Sequence, residues 1–553
     1  MTMKNCIVLN KAQYLINDQV ILTIALNQIA SDTILVKIYQ LHHHIAVEYQ
    51  YKYIQKNDST VELMIQLSSL PIGNYGVEVI IGYQLYETAF DIVSSYKDCV
   101  RYGFLSDFSN QENDILDVEN LKNLHLNTVQ FYDWMYTHDQ LVSKDINYLD
   151  PLGRPTSLET IKHKIEKCIE YGMRPFAYGA VYASSKTLYE KHPEWGLYTL
   201  DHQPLVFFDW LNFMNISNNS GWSDYIINQF IFAIETVKFM GIHMDTYGFP
   251  KNVHDYNGKN IALADHFPAL INRASQKIQE INPQNGVIFN CVNNWPIEKI
   301  ANTNQDAIYI EVWPPHDSYF DLYRLIREAK YLSHNQVVLA AYMHPFKDAK
   351  TPLEIEKAEN ALLLTNAVIN ASGGTQLVFG EKNGILQDSY YANYAVSSEN
   401  FQLKIQNYAD FLVRYADLLY NDIGMDISMT ATSGINEDIQ FISNQVSFSP
   451  NGKDNTVWTI VREQQNRITI QLINLSNNNS MWNQPKNKNE KIEDITIKLN
   501  LDRIIKGIYF ASPDESLMAQ SLNYLEESTN RGKWVTVQIP SLSNWTTVWI
   551  EME

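Results

Sequence analysis

GIHMDTYG, Gly241 to Gly248, comes directly after the helical run SDYIINQFIFAIETVKFM. The stretch is short, apolar at its start, polar at its end and closed by glycine, which is the pattern of a buried parallel strand with a polar mouth. Where parallel strands close into a ring, their C-terminal ends converge on one cup, so Asp245 at that mouth points toward a ligand rather than into the core. On this stretch alone, an aspartate that merely caps or ion-pairs at a strand end fits as well.

Working outward, short apolar runs alternate with amphipathic helical runs from about Arg101. The strand candidates are RYGFLSD, NTVQFYDW, RPFAYGAVYA, GIHMDTYG, GVIFNCVN, AIYIEVWP, VVLAAYMHP and TQLVFG. Between them lie SLETIKHKIEKCIEYG, ALADHFPALINRASQKIQEI, SYFDLYRLIREAKYL and EIEKAENALLLTNAVINAS. Eight such βα units predict a (β/α)8 TIM barrel over residues 98–421. An open doubly wound sheet is the alternative, but no glycine-rich phosphate turn follows the first strand.

On either side the period is two. Residues 1–97 carry six or seven alternating runs, among them QVILTIALN, DTILVKIYQ, TVELMIQLSS and YGVEVIIGYQ, which predict an immunoglobulin-like β-sandwich. Residues 422–553 return to this pattern in NTVWTIVREQQ, RITIQLINLS, DITIKLNL, KWVTVQIPS and TTVWIEME, predicting an antiparallel Greek-key β domain with NNNSMWNQPKNKNEK as a polar loop. The chain is thus multidomain, as 553 residues demand.

A formal charge of −20 argues against nucleic acid and against an anionic membrane surface. With 34 Tyr and 11 Trp, the chain suits a neutral, hydroxyl-rich ligand whose apolar faces stack on rings. Cys6, Cys99, Cys168 and Cys291 are far apart and suggest neither a disulfide framework nor a zinc site. Adjacent His42, His43 and His44 cannot share one face of a strand and read as a solvated turn, so no metal is expected. The N-terminal MTMKNCIVLNKAQ has too short an apolar run for a signal peptide, and no run is long enough to span a membrane, which predicts a cytoplasmic protein.

The polar residues at the eight strand ends are Asp107, Asp133 with Trp134, Tyr182, Asp245, Asn290, Glu311 with Trp313, His344 and Glu381. Buried charge is costly, so such a ring meets a ligand. Asp245 and Glu311, with one strand between them, can face each other across the cup. Two carboxylates flanking a bond are what glycoside hydrolysis needs, one to attack the anomeric carbon and one to protonate the leaving oxygen. A structural acceptor role for Glu311 is the alternative. No GxSxG elbow and no HExxH motif is present. A metal-dependent barrel hydrolase lacks the HxH expected on its first strand, and His138 and Asp139 read as loop residues within reach of a sugar hydroxyl.

In order, QFYDWMYTHDQL, DPLGRP, RPFAYGAVYA, HPEWGLY, GIHMDTYG, IFNCVNNWP, YIEVWPP and GEKNGILQDSYY resemble glycoside hydrolase family 66, the family of endo-dextranases and cycloisomaltooligosaccharide glucanotransferases. The resemblance covers the whole barrel and reaches INLS…W in the C-terminal domain. It implies a cofactor-free, retaining, double-displacement mechanism on α-1,6-linked glucan or isomaltooligosaccharides, with Asp245 as nucleophile and Glu311 as acid/base. Asp133, Trp134 and Tyr182 fall on motif positions that look like substrate contacts. The sequence departs from the pattern at LQDSYYANYA, where an acidic-Tyr-Tyr-Pro-Asn ending is expected. Glu311 should hold its proton at neutral pH against an apolar wall of Tyr309 and Trp313, while Asp245 is the anion. Hydrolysis and transglycosylation share these residues, and the presence of both carboxylates at their motif positions argues against a third reading, non-catalytic glucan binding. Cyclising members carry an extra module inserted in the barrel region; no loop here is long enough to hold one, which favours linear products.

Overall fold

The computed structural model describes residues 7–27, 33–57, 60–112, 115–420, 424–530 and 532–553. Cys6 and the expected boundary at 421–422 lie outside these residues. Strict alternation produces the N-terminal sandwich: Ile21–Leu26 buries every second residue, as does most of Thr60–Leu67. One sheet has four strands and the other five, and Leu22, Ile24, Leu63, Ile65, Val77, Val79 and Phe90 fill the space between them.

The middle of the chain forms an eleven-stranded sheet whose first eight positions follow the predicted strands. Tyr102–Leu105, Thr128–Phe131, Arg174–Ala180, Gly241–Asp245, Gly286–Asn290, Ile308–Glu311 and Val337–Ala340 pair in parallel, each with the next. The sheet curls: Gly374–Gln376 pairs with the Val337–Ala340 strand, and a few residues on, Gly380 pairs with Phe104 of the first strand. Helices return the chain between strands because their starts are capped and their apolar residues fall on one face. Ser157 caps Leu158–Glu170, which buries Ile161, Ile165 and Cys168, and Thr351 with Glu354 forms a capping box on Pro352–Ala371. The sheet's inner face is a separate, aromatic core that includes Tyr102, Phe104, Phe176, Tyr309, Tyr342 and Tyr391.

The C-terminal residues build sheets of seven and four strands around Val457, Ile470, Ile497, Val537 and Val548. The outer face of the larger sheet, with Trp458, Trp545 and Trp549, joins the core beneath the helices that connect the parallel strands. Two sequence-based expectations change here. The polar loop after Asn474 is docked: Trp482 is buried and donates from Nε1 to the His316 carbonyl at 2.8 Å, Asn483 donates to Asp317 at 2.8 Å, and Lys486 is fully buried. The histidine run is not simply a solvated turn either, because His42 stacks at 3.7 Å on Tyr509 of the C-terminal domain. Its neighbours' high polarity hid both contacts, since docking depends on partners hundreds of residues away. No helix among the described residues is long and apolar enough to cross a membrane.

Asp91, at the end of the N-terminal domain, accepts both Arg101 Nη atoms at 2.9 and 3.0 Å and Gln13 Nε2 at 2.8 Å, with the ion pair fully desolvated. Removing one partner strands a buried charge. Asp91→Ala should therefore lower stability by about 3–5 kcal/mol, read as a drop in the urea midpoint; an unchanged midpoint would show that the pair does not hold the two domains together.

Candidate active site

The parallel strand ends surround a cavity of about 870 Å³. Period-two alternation aims every second residue inward, so His243 and Asp245 share the inner face, as do Tyr309 and Glu311. Asn290 sits on the strand between them. Its Nδ2 donates to Asp245 Oδ1 at 2.8 Å and to Glu311 Oε2 at 3.0 Å. Two oxygens at 2.8 and 3.0 Å from one nitrogen are at most 5.8 Å apart. Each carboxylate also accepts one phenol: Tyr178 donates to Asp245 Oδ2 and Tyr342 to Glu311 Oε1, both at 2.7 Å.

Burial raises the pKa of both carboxyls. Asp245 is pushed up to about 7 by burial and then by the charge of Glu311, with Asn290 and Tyr178 pulling it down. Glu311 is raised by burial and lowered by Tyr342 and Asn290. Facing like charges in one buried site do not both ionise freely, so the two carboxyls hold a proton as a pair rather than titrating one by one. This alters the expectation of an apolar wall around Glu311 alone. Tyr309 turns its hydroxyl to Tyr391 at 2.9 Å, Trp313 is 41% exposed at the cavity rim, and Tyr342 donates directly to the carboxylate.

Asp133 lines the same cavity, in a left-handed backbone conformation with φ 51° that aspartate tolerates. Burial pushes it to about 7, against the pull of Arg154, whose Nη2 stands 4.0 Å away. Arg154 is held by Asp150 Oδ2 at 2.6 Å, which gives the DPLGRP motif its place: it carries the cation behind Asp133.

Asp133, Asn290 and Trp313 thus join Asp245 and Glu311 at the cavity. The other expected contacts are elsewhere. Trp134 is fully buried, packs on Phe239 and donates from Nε1 to the Tyr178 carbonyl at 3.1 Å, fixing the strand that carries Tyr178. Tyr182 is buried and donates to the Phe249 carbonyl at 3.0 Å, shaping the loop after Asp245. Glu381 is fully buried and accepts Ser106 Oγ at 2.7 Å and the amides of Ser106 and Asp107 at 3.1 Å, tying the eighth strand end to the first. Asp107 pairs with Lys382 at 3.1 Å. His344 lies outside the cavity, its ring 6.3 Å from Trp482. In each case the residue sits at a strand end but its side chain follows the turn outward or downward, which strand counting does not foresee.

Sequence reasoning missed Tyr178, Tyr342, Tyr132, Tyr390 and Tyr391, all on the cavity. Tyr132 and Tyr391 stack at 4.4 Å, so the divergent eighth loop supplies part of the wall. Tyr178 and Tyr342 were legible as the inward residues of their strands. The rim residues Phe207, Phe208 and Trp210, from a long excursion after the third strand, carried no periodic signal. His138 also lines the cavity, neutral because burial lowers it to about 4, while Asp139 instead anchors Ser185 by its amide and hydroxyl. His243, on the cavity floor, is lowered to about 3 by burial and bonds the Tyr102 hydroxyl at 3.1 Å.

The family model of glycosyl hydrolase family 66 matches residues 9–549. The chain belongs to glycosyl hydrolase family 66. It is 24% identical over 84% of its length to a cycloisomaltooligosaccharide glucanotransferase of Niallia circulans, and 23% identical over 82% to a dextranase of Streptococcus salivarius. It spans less than two thirds of these curated relatives, 62% and 63% respectively. The solved cycloisomaltooligosaccharide glucanotransferase of Paenibacillus sp., in complex with cycloisomaltoheptaose, superposes with a TM-score of 0.88 over 98% of this chain and 99% of that one, at 22% identity. The family 66 chain therefore shares its fold with that solved glucanotransferase chain almost end to end.

Because the folded-state values of Asp133 and Asp245 stand above the ordinary aspartate value, ionising either one costs stability as pH rises from 3.8 to about 7. Asp133→Asn and Asp245→Asn remove that cost. Each variant should melt above wild type at pH 8 and no higher than wild type at pH 4; a melting difference that does not change with pH would contradict the raised values.

Proposed function

We propose that this chain is a retaining glycoside hydrolase that cleaves α-1,6-glucosidic linkages in dextran or isomaltooligosaccharides. It would work within a (β/α)8 barrel flanked by an immunoglobulin-like N-terminal sandwich and a Greek-key C-terminal domain. The observation that carries the reading is the shared Asn290 amide, which keeps the Asp245 and Glu311 oxygens within 5.8 Å. Retaining enzymes hold their two carboxyls about 5–5.5 Å apart, and inverting enzymes about 6.5–9.5 Å, to leave room for a water.

In this reading Asp245, as the anion, attacks the anomeric carbon while Glu311 gives its proton to the leaving glycosidic oxygen. Glu311 then takes a proton from water, which displaces Asp245 and releases the sugar with its original configuration. The one proton shared by the pair is the protonation this step needs. Asp133, backed by Arg154, is suited to accept from sugar hydroxyls, and Trp313, Tyr390, Phe208 and Trp210 offer faces for the rings. No cofactor enters these steps.

A second reading, transfer of the glucosyl unit to a sugar hydroxyl, is favoured by the likeness to the glucanotransferases of Niallia circulans and Paenibacillus sp.. It uses the same two carboxylates and differs in what captures the intermediate.

Asp245→Asn and Glu311→Gln should each lose at least ~10²-fold in turnover on isomaltooligosaccharides while keeping the fold; wild-type rates in either variant would remove the assignment. Proton NMR of early turnover should show the α-anomer first, and a β-anomer would mean inversion. Mass spectrometry of the products separates the two readings. Only linear sugars shorter than the substrate mark hydrolysis, whereas longer linear sugars or masses one water lower mark transfer.

A further inference from the structure

Away from the cavity, ligating side chains converge from the two ends of the molecule. His42 and His43 lie where the chain turns from the Ile34–Gln40 strand into His43–Ile45, and Glu551 lies on the last strand, Trp545–Met552. One nitrogen from each histidine and one carboxylate oxygen all fall within 4.8 Å of one another. His42 Nδ1 stands 3.7 Å from Glu551 Oε1, and His43 Nε2 stands 3.9 Å from Glu551 Oε2. Both separations are too long for direct hydrogen bonds. His42 Nδ1 is buried and has no hydrogen-bond partner among the described residues. Its ring is clamped, stacked at 3.7 Å on Tyr509 and 3.8 Å from the ring of His43.

We propose that His42, His43 and Glu551 bind one divalent transition-metal ion of the zinc class, which pins the N-terminal domain to the final strand of the C-terminal domain. Two imidazoles and one carboxylate are a donor set that zinc accepts, with the fourth position left to water. Water has access there because His43 is 63% exposed on its side chain. With bonds of 2.0–2.1 Å, tetrahedral ligands stand about 3.4 Å apart, so the donors close by roughly 0.5–1.5 Å on binding. Rotation of the His43 and Glu551 side chains supplies that movement. His44 takes no part, because its ring turns to Tyr39 at 5.5 Å. The three-histidine run thus yields two ligands rather than three, and the third comes from a strand some five hundred residues later in the chain. An ion here would act on domain docking, since none of the three residues lines the cavity.

The test is calorimetric titration of the full chain, without a histidine tag and stripped with EDTA, with zinc chloride at pH 7.5. One ion per chain should bind and raise the melting temperature. His43→Ala changes an exposed side chain, and His42→Phe keeps the stack on Tyr509 while removing the donor nitrogen. Each should weaken binding at least ~10-fold and abolish the thermal shift, with circular dichroism and zinc-free melting unchanged from wild type. No stoichiometric binding by the wild-type chain would overturn the proposal, and so would binding of equal affinity in both variants.

Discussion

One amide nitrogen governs the cavity. Two carboxylates in a buried cup repel each other, which favours neutralising one of them, and lose hydration, which favours neutralising both. Asn290 opposes this by donating to Asp245 and Glu311 together, and Tyr178 and Tyr342 each complete one carboxylate's shell. The arrangement is close to symmetric, so the pair can hold one negative charge and one proton between the two groups. It depends on register. Phe289 pairs with Ile308 and Met244 with Phe289, which puts Asn290 between its neighbours on the inner face. A slip of one residue would turn Asn290 toward the helices and leave both carboxylates short of a donor.

The rest of the molecule keeps that register and the loops around it in place. The inner face below the carboxylates is packed with aromatic rings, and His243 sits among them as a neutral hydrogen-bond partner of Tyr102. From outside, Trp482 and Asn483 of the C-terminal domain hold His316 and Asp317, in the loop that leaves Glu311. On the opposite flank, Asp410 binds His125 at 2.8 Å and Thr88 at 2.9 Å, joining the helix after the eighth strand to the N-terminal sandwich. The flanking domains are therefore fastened to the same sheet by buried polar contacts, each of which would be expensive to leave half made.

Family 66 membership and the site geometry bear on different questions. Membership fixes the kind of scaffold, while the pairing of carboxylates, phenols and amide argues for a chemistry of one bond held between two acids. The aromatic rim of Phe207, Phe208 and Trp210, together with Trp313, offers flat apolar surface where ring-shaped, hydroxyl-rich ligands can lie. In the proposed mechanism both routes share every residue beneath that rim, so the rim is where capture by water and capture by a sugar hydroxyl would differ.

Sequence by itself determined the elements and their order. Period-two and 3.6-residue patterns are local, and each of the eight strand candidates became a strand because burial on both faces demands an unbroken apolar run. Asp245, Asn290, Glu311 and Asp133 were legible for the same reason, as polar residues ending such runs. Tertiary structure decided which strand-end side chains reach the cavity. It turned Trp134, Tyr182 and Glu381 into supports and brought in Tyr178, Tyr342 and Tyr391. It also carried His42 and His43 to Glu551 and buried Trp482 in a loop that reads as solvent. Those outcomes rest on contacts between residues far apart in the chain. Local periodicity carries no information about them, because it records which face of an element is apolar and not what that face will meet.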